Sequence, residues 1–148
     1  MTGNLFNTIV IAVDGTEYSR KAVNTAVGLA KLTGAKLHAV YVSDNSNVVP
    51  INAEWELVSD NLKVEVEAAF EFVNGKAADE GVNLETVSLL GSPAQEIVQY
   101  ANQINADLII VGAAGKKMVE RLILGSVSEK VVRSFKQQVL VVRNCDKT

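Results

Sequence analysis

The chain has 148 residues, enough for one domain with a sizeable core and too few for two ordinary ones. Its composition is that of a soluble globular protein, 48% apolar and 21% charged, and a net charge of −3 argues against a general nucleic-acid binder, which needs clustered Lys and Arg. The one cysteine, Cys145, excludes an internal disulfide and a Cys₄ or Cys₂His₂ zinc site, and no apolar segment approaches the roughly 20 residues that span a bilayer.

Residues 1–7 lack the basic region and apolar core of a signal peptide, so the expected location is the cytoplasm. The first apolar run, Thr8-Ile-Val-Ile-Ala-Val13, reads as a strand closed by Asp14-Gly15-Thr16. Thr16 is placed to N-cap a helix over about 17–33, with Glu17 in its first turn and Gly34 at the left-handed position beyond its end. Leu37 to Val42 is the second strand, and Ser43-Asp-Asn-Ser-Asn47 with Pro50 makes a loop.

Trp55, Val58, Leu62, Val66, Ala69, Val73 and Ala77 are spaced by three and four, an apolar stripe on a long helix that ends at Glu80-Gly81 and faces a sheet. Val82 to Leu89 alternates as a third strand. Ser92-Pro93-Ala-Gln95 then opens a helix with serine at the N-cap, proline at N1 and glutamine at N3, and Ile97, Ala101 and Ile104 line its buried side. Leu108 to Val111 is the fourth strand. Ser126 starts a last helix through about Phe135, and Val139 to Val142 is the fifth strand. Strands and helices alternate without repeat or linker, so residues 1–148 are expected to form one doubly wound α/β domain with a parallel sheet and helices on both faces.

The chemistry concentrates between Leu108 and Ser128. An apolar run ends on Gly112, Gly115 follows, and nine residues later comes Gly125-Ser126. Strand, glycine loop and helix start in that order suit an anion, phosphate above all, because glycines admit close backbone approach and a helix start presents free N–H groups. No Gly-x₄-Gly-Lys-Ser/Thr loop is present, Asp14-Gly15-Thr16-Glu17-Tyr18 has one glycine where a dinucleotide-binding turn needs three, and Ser88-Leu89-Leu90 lacks the acidic residue of a receiver domain.

Gly112-x₂-Gly115-x₉-Gly125-Ser126, followed by Val127-Ser128-Glu129 and a terminal Val-Leu-Val-Val-Arg strand, resembles the ATP-binding subgroup of the universal stress proteins, as does the opening Ile-Val-Ile-Ala-Val-Asp14-Gly15-Thr16-Glu-Tyr-Ser19. The resemblance covers essentially the whole chain. It implies strand order 3-2-1-4-5, which reverses between strands one and four and opens a crevice at their carboxyl ends, where Asp14 and Gly112 lie. It also implies ATP as the ligand, with Mg or Mn, held around ribose and phosphates by Gly112, Gly115, Gly125, Ser126, Val127 and Ser128. Asp14 would stand near the adenosine and metal end, and Val42 would offer its backbone to adenine. A homodimer through strand 139–142 is implied as well, and an exposed apolar edge strand gives a physical reason to pair.

Each residue has a plainer alternative. Gly125 to Glu129 has a capping box as its plainer reading, with Glu129 reaching back to the cap, although that leaves Gly112 and Gly115 unexplained. For Asp14 the plainer role is a helix cap or an Asx turn. Lys116, Lys117 and Arg121 are candidate phosphate contacts or ordinary exposed cations, His38 reads as a packed strand residue, and Cys145 has no neighbouring histidine to make it a nucleophile. Ala113-Ala114 departs from the family, which usually carries a Ser or Thr and then a larger polar residue there. One carboxylate, hydroxyls and backbone donors are equipment for holding a nucleotide with at most slow hydrolysis. The reading is therefore a nucleotide-dependent regulator without nucleic-acid or membrane partners; the alternatives are an interaction module of the same fold with a decayed site, and a true hydrolase or nucleotide transferase.

Overall fold

Six strand residues from Thr8 to Val13 carry side chains alternately to two sides, and both sides are apolar, which is the pattern of a strand covered on both faces. The computed structural model describes residues 5–43, 52–113 and 125–143, with backbone alone at Tyr18 and over 52–62. The elements run β1 (Thr8–Val13), α1 (Glu17–Thr33), β2 (Lys36–Ser43), α2 (Asn52–Glu80), β3 (Leu84–Leu90), α3 (Pro93–Gln103), β4 (Leu108–Gly112), α4 (Ser126–Ser134) and β5 (Gln138–Val142). The described strands form one parallel sheet in the order β3-β2-β1-β4-β5, the order that the resemblance implies.

Two cores follow from the alternation. Ile9, Ile11 and Val13 of β1 join Val23 and Val27 of α1 and Val73 of α2 on one face; Val10 joins Ile97 of α3, Val131 of α4 and Phe135 just beyond α4 on the other. Within the apolar stripe on α2, Ala69, Val73 and Ala77 are buried and Val66 packs partly against them, while the side chains of Trp55, Val58 and Leu62 lie outside the described residues. Gly34 takes the left-handed conformation expected after α1, with φ of 77° and its N–H on the Ala30 carbonyl.

Several boundaries differ from expectation. The third strand begins at Leu84 rather than Val82, because Val82 N–H is still bound to the Ala77 carbonyl in the helix exit. Ser92 stands at the α3 N-cap with Pro93 behind it, yet its side chain makes no capping hydrogen bond. His38 is packed as expected, 7% exposed, with Nδ1 at 3.0 Å from the Tyr100 hydroxyl. Burial lowers its pKa, against an opposing pull from Glu85 and with a smaller lowering from Lys36.

Candidate functional site

In the sheet order, β1 and β4 are neighbours whose following helices leave to opposite faces, so a crevice opens at their carboxyl ends. Val13 pairs in register with Tyr41 and Ile11 with Ile110, so one and three residues further on Asp14 comes level with Val42 and Ala113. Two distant stretches of sequence therefore meet there, the turn into α1 and the start of α4.

The turn into α1 is closed on itself. Asp14 Oδ1 accepts from the Thr16 N–H at 2.9 Å and from its hydroxyl at 2.7 Å, an Asx turn, and Gly15 supplies the left-handed residue at φ of 82°. Thr16 Oγ1 accepts from the Ser19 N–H at 3.3 Å, the N-cap bond expected of it. The buried Ser19 hydroxyl donates to the Thr16 carbonyl at 3.2 Å and accepts from the Asp14 N–H at 3.4 Å. Of the two plainer roles foreseen for Asp14, the Asx turn is present. Ser19 belongs to the opening motif that carries the resemblance, but no role was foreseen for it, although its place three residues after Thr16 is where a capping-box partner stands.

The start of α4 is arranged differently. Its N-cap is Gly125, with Ser126 at N1, and no side chain caps the helix. Gly125 N–H donates to the Ala113 carbonyl and to Ser128 Oγ, the latter at 3.0 Å. The Ser128 hydroxyl in turn has the Gly125 carbonyl at 3.1 Å and the Ala113 carbonyl at 3.3 Å as acceptors. Ser128 is 2% exposed, and it ties the helix start to the end of β4, whose Ala113 N–H is bound to the Val142 carbonyl of β5 at 2.9 Å. The reach back to the cap thus comes from Ser128, not from Glu129, whose carboxylate bonds Arg133 one turn on at 3.1 Å. The first intrahelical bond runs from the Glu129 N–H to the Gly125 carbonyl, so the N–H groups of Ser126, Val127 and Ser128 have no helical carbonyl to meet. Gly125 itself has φ of −80°, a value any residue adopts. What glycine supplies there is the missing side chain, and with it access to those donors.

Among the remaining expected site residues, Val42 lies at the carboxyl end of β2 and packs partly against the α3–α4 core, Gly112 ends β4, Ser126 is exposed and Val127 half-buried. Gly115, Ala114, Lys116, Lys117 and Arg121 fall outside the described residues, as does Cys145. Among the described residues no group of three His, Cys, Asp or Glu side chains is placed to hold a metal ion, and no helix is long and apolar enough to cross a membrane.

Residues 5–143, almost the whole of this arrangement, match the model of the universal stress protein family. The chain belongs to that family. A universal stress protein of Methanocaldococcus jannaschii is 43% identical over 142 residues, which cover 95% of this chain and 84% of that one. Among solved structures, a universal stress protein in complex with cAMP superposes with a TM-score of 0.72 at 27% identity, over 93% of this chain and 97% of that one. The universal stress protein of Archaeoglobus fulgidus in complex with dAMP, at 20% identity and a TM-score of 0.69 over 93% and 98% of the two chains, shares the fold.

Proposed function

We propose that this universal stress protein binds an adenine nucleotide, ATP above all, in the crevice between the carboxyl ends of β1 and β4, and acts as a nucleotide-dependent regulator in the cytoplasm. The observation that carries the reading is the start of α4, without a side-chain cap, anchored to the end of β4 by Ser128, with three backbone donors beside a glycine that meet no helical carbonyl among the described residues. Those donors and the positive end of the helix dipole match the chemistry of a phosphate. Gly112, Gly115, Gly125, Ser126 and Val127 would surround ribose and phosphates through their backbones, Val42 would meet the base, and Ser128 would position the helix start. The adenine nucleotides in complex with the two solved relatives support the ligand class.

Hydrolysis would be slow at most. Asp14 Oδ1 already accepts two hydrogen bonds from Thr16, which suits holding the turn beside a nucleotide and its Mg or Mn better than activating water. A ligand that binds only the folded or dimeric form adds about 2.7 kcal/mol of stability at one hundred times its dissociation constant, enough for a switch. The β5 edge, with Leu140 exposed, is where a second copy would pair to make a homodimer; a monomer at micromolar concentration by light scattering would overturn that.

The test is nucleotide content of freshly purified protein by acid release and chromatography, followed by titration calorimetry with ATP and magnesium. Retained ATP that is lost in Gly125→Val is the expected result. An empty protein that gives no heat would overturn the nucleotide reading and favour an interaction module of the same fold. Steady ATP turnover unaffected by Asp14→Ala would point to catalysis by other groups.

A further inference from the structure

Arg143, the cation that ends the terminal Val-Leu-Val-Val-Arg stretch, stands one residue beyond β5 and is exposed. Gly112 pairs in register with Val142, so Arg143 comes level with Ala113 and extends the row of Val42, Asp14 and Ala113 to a fourth strand. In a continued parallel ladder the Ala113 carbonyl would accept from the chain just past Arg143; here it accepts the Gly125 N–H instead. The start of α4 therefore takes the place beside Arg143 that a longer β5 would fill. Val141 packs toward the α3–α4 core and Val142 toward the opposite one, so the alternation of β5 turns Arg143 to the face on which α4 lies. Lys31, Lys36 and Arg133 are tied to glutamates, whereas Arg143 makes no ion pair among the described residues.

Three strand spacings separate Val42 from Arg143, about 14 Å in all. With the base at Val42 and the first phosphate at the start of α4, only the far end of a polyphosphate chain reaches Arg143. A monophosphate stops at the backbone donors of α4. A guanidinium fork there matches two oxygens of one phosphate at once, which a backbone N–H cannot do. We propose that Arg143 holds the terminal phosphates of the nucleotide and makes this site select a nucleoside triphosphate over a monophosphate. The inference rests on the nucleotide reading and adds to it the residue that separates ATP from AMP.

The experiment is titration calorimetry of the full chain with two probes, ATP and AMP, each with magnesium, on the wild type, Arg143→Gln and Arg143→Lys. The wild type should bind ATP at least about tenfold more tightly than AMP. Arg143→Gln should weaken ATP about tenfold and leave AMP within about twofold, and Arg143→Lys, which keeps the charge without the fork, should fall between. Melting temperature and light scattering on each variant separate loss of fold or assembly from loss of a ligand contact. An ATP-to-AMP affinity ratio that Arg143→Gln leaves unchanged overturns the proposal and leaves the nucleotide reading standing. An equal loss for both ligands does the same, because it marks a structural role, as does a wild type that prefers AMP. No heat with either ligand in the wild type overturns the nucleotide reading itself, and the proposal with it.

Discussion

Two helix starts flank the same crevice, and they have opposite characters. At α1 two of the donors, the N–H groups of Thr16 and Ser19, are met by side chains of the turn itself: Asp14 holds Thr16, Thr16 caps Ser19, and the Ser19 hydroxyl closes the circuit. At α4 the N-cap is a glycine, and the one nearby hydroxyl, on Ser128, is turned inward to the ends of Gly125 and β4. The first start carries a side-chain cap of its own, whereas the second is fastened to β4 and has none. A helix start held in position and lacking a cap is suited to receive its acceptors from a ligand.

The sharpest way to break this contrast is to finish α4 with an acceptor of its own. Gly125→Asp, allowed by φ of −80°, should cap the helix and put a carboxylate where phosphate would sit, lowering ATP affinity at least about a hundredfold in calorimetry while melting temperature holds or rises. A variant that binds ATP normally would show that the uncapped donors are not the phosphate site. Thr16→Ala attacks the closed start instead. It should cost about 1–2 kcal/mol in urea unfolding, because the cap and the hydroxyl bond to Asp14 are lost together while the backbone N–H bond to Asp14 stays, with ATP affinity changed less than threefold or so.

Ser128→Ala lies between the two. Gly125 N–H keeps the Ala113 carbonyl as acceptor, so no buried donor is stranded and the stability loss should be about 1 kcal/mol. Loosening of the α4 start should nonetheless show as a several-fold rise in the ATP dissociation constant, and equal affinity would argue that the β4 anchor has no part in binding. The smallest effect expected lies far from both starts. Burial lowers the His38 pKa in the folded state, so the unfolded chain binds the extra proton more readily. Stability contributed by neutral His38 is present above the ordinary value near 6.5 and is lost as pH falls below it. His38→Phe should flatten that limb of the pH–stability curve, and should do so equally with and without ATP.

The order of elements was legible in the chain because each has a strong local signature. Thr8–Val13 and Leu108–Val111 are apolar runs too short for helices, and Thr16 and Gly34 bracket α1 with the residues that helix ends require. The boundaries that shifted lie where long-range or exit bonds decide, as at Val82. The candidate site was legible in part. Gly112, Gly125 and Asp14 stand out by residue type and spacing, whereas the inward turn of the Ser128 hydroxyl carries no local signal. A buried serine whose acceptor lies fifteen residues upstream looks in sequence like any serine in a first helical turn.

By itself the sequence determined the alternation of strands and helices, the position of α1's cap and the glycines that mark the turn after β4, since propensity, periodicity and capping act over a few residues. Only the tertiary structure decided that Asp14, Val42 and Ala113 come level across three strands, that α1 closes its own start while Ser128 fastens α4 to β4, and that Arg143 ends level with Ala113. Those relations depend on register and on helices packed from different parts of the chain, and such contacts exist only after the sheet has formed.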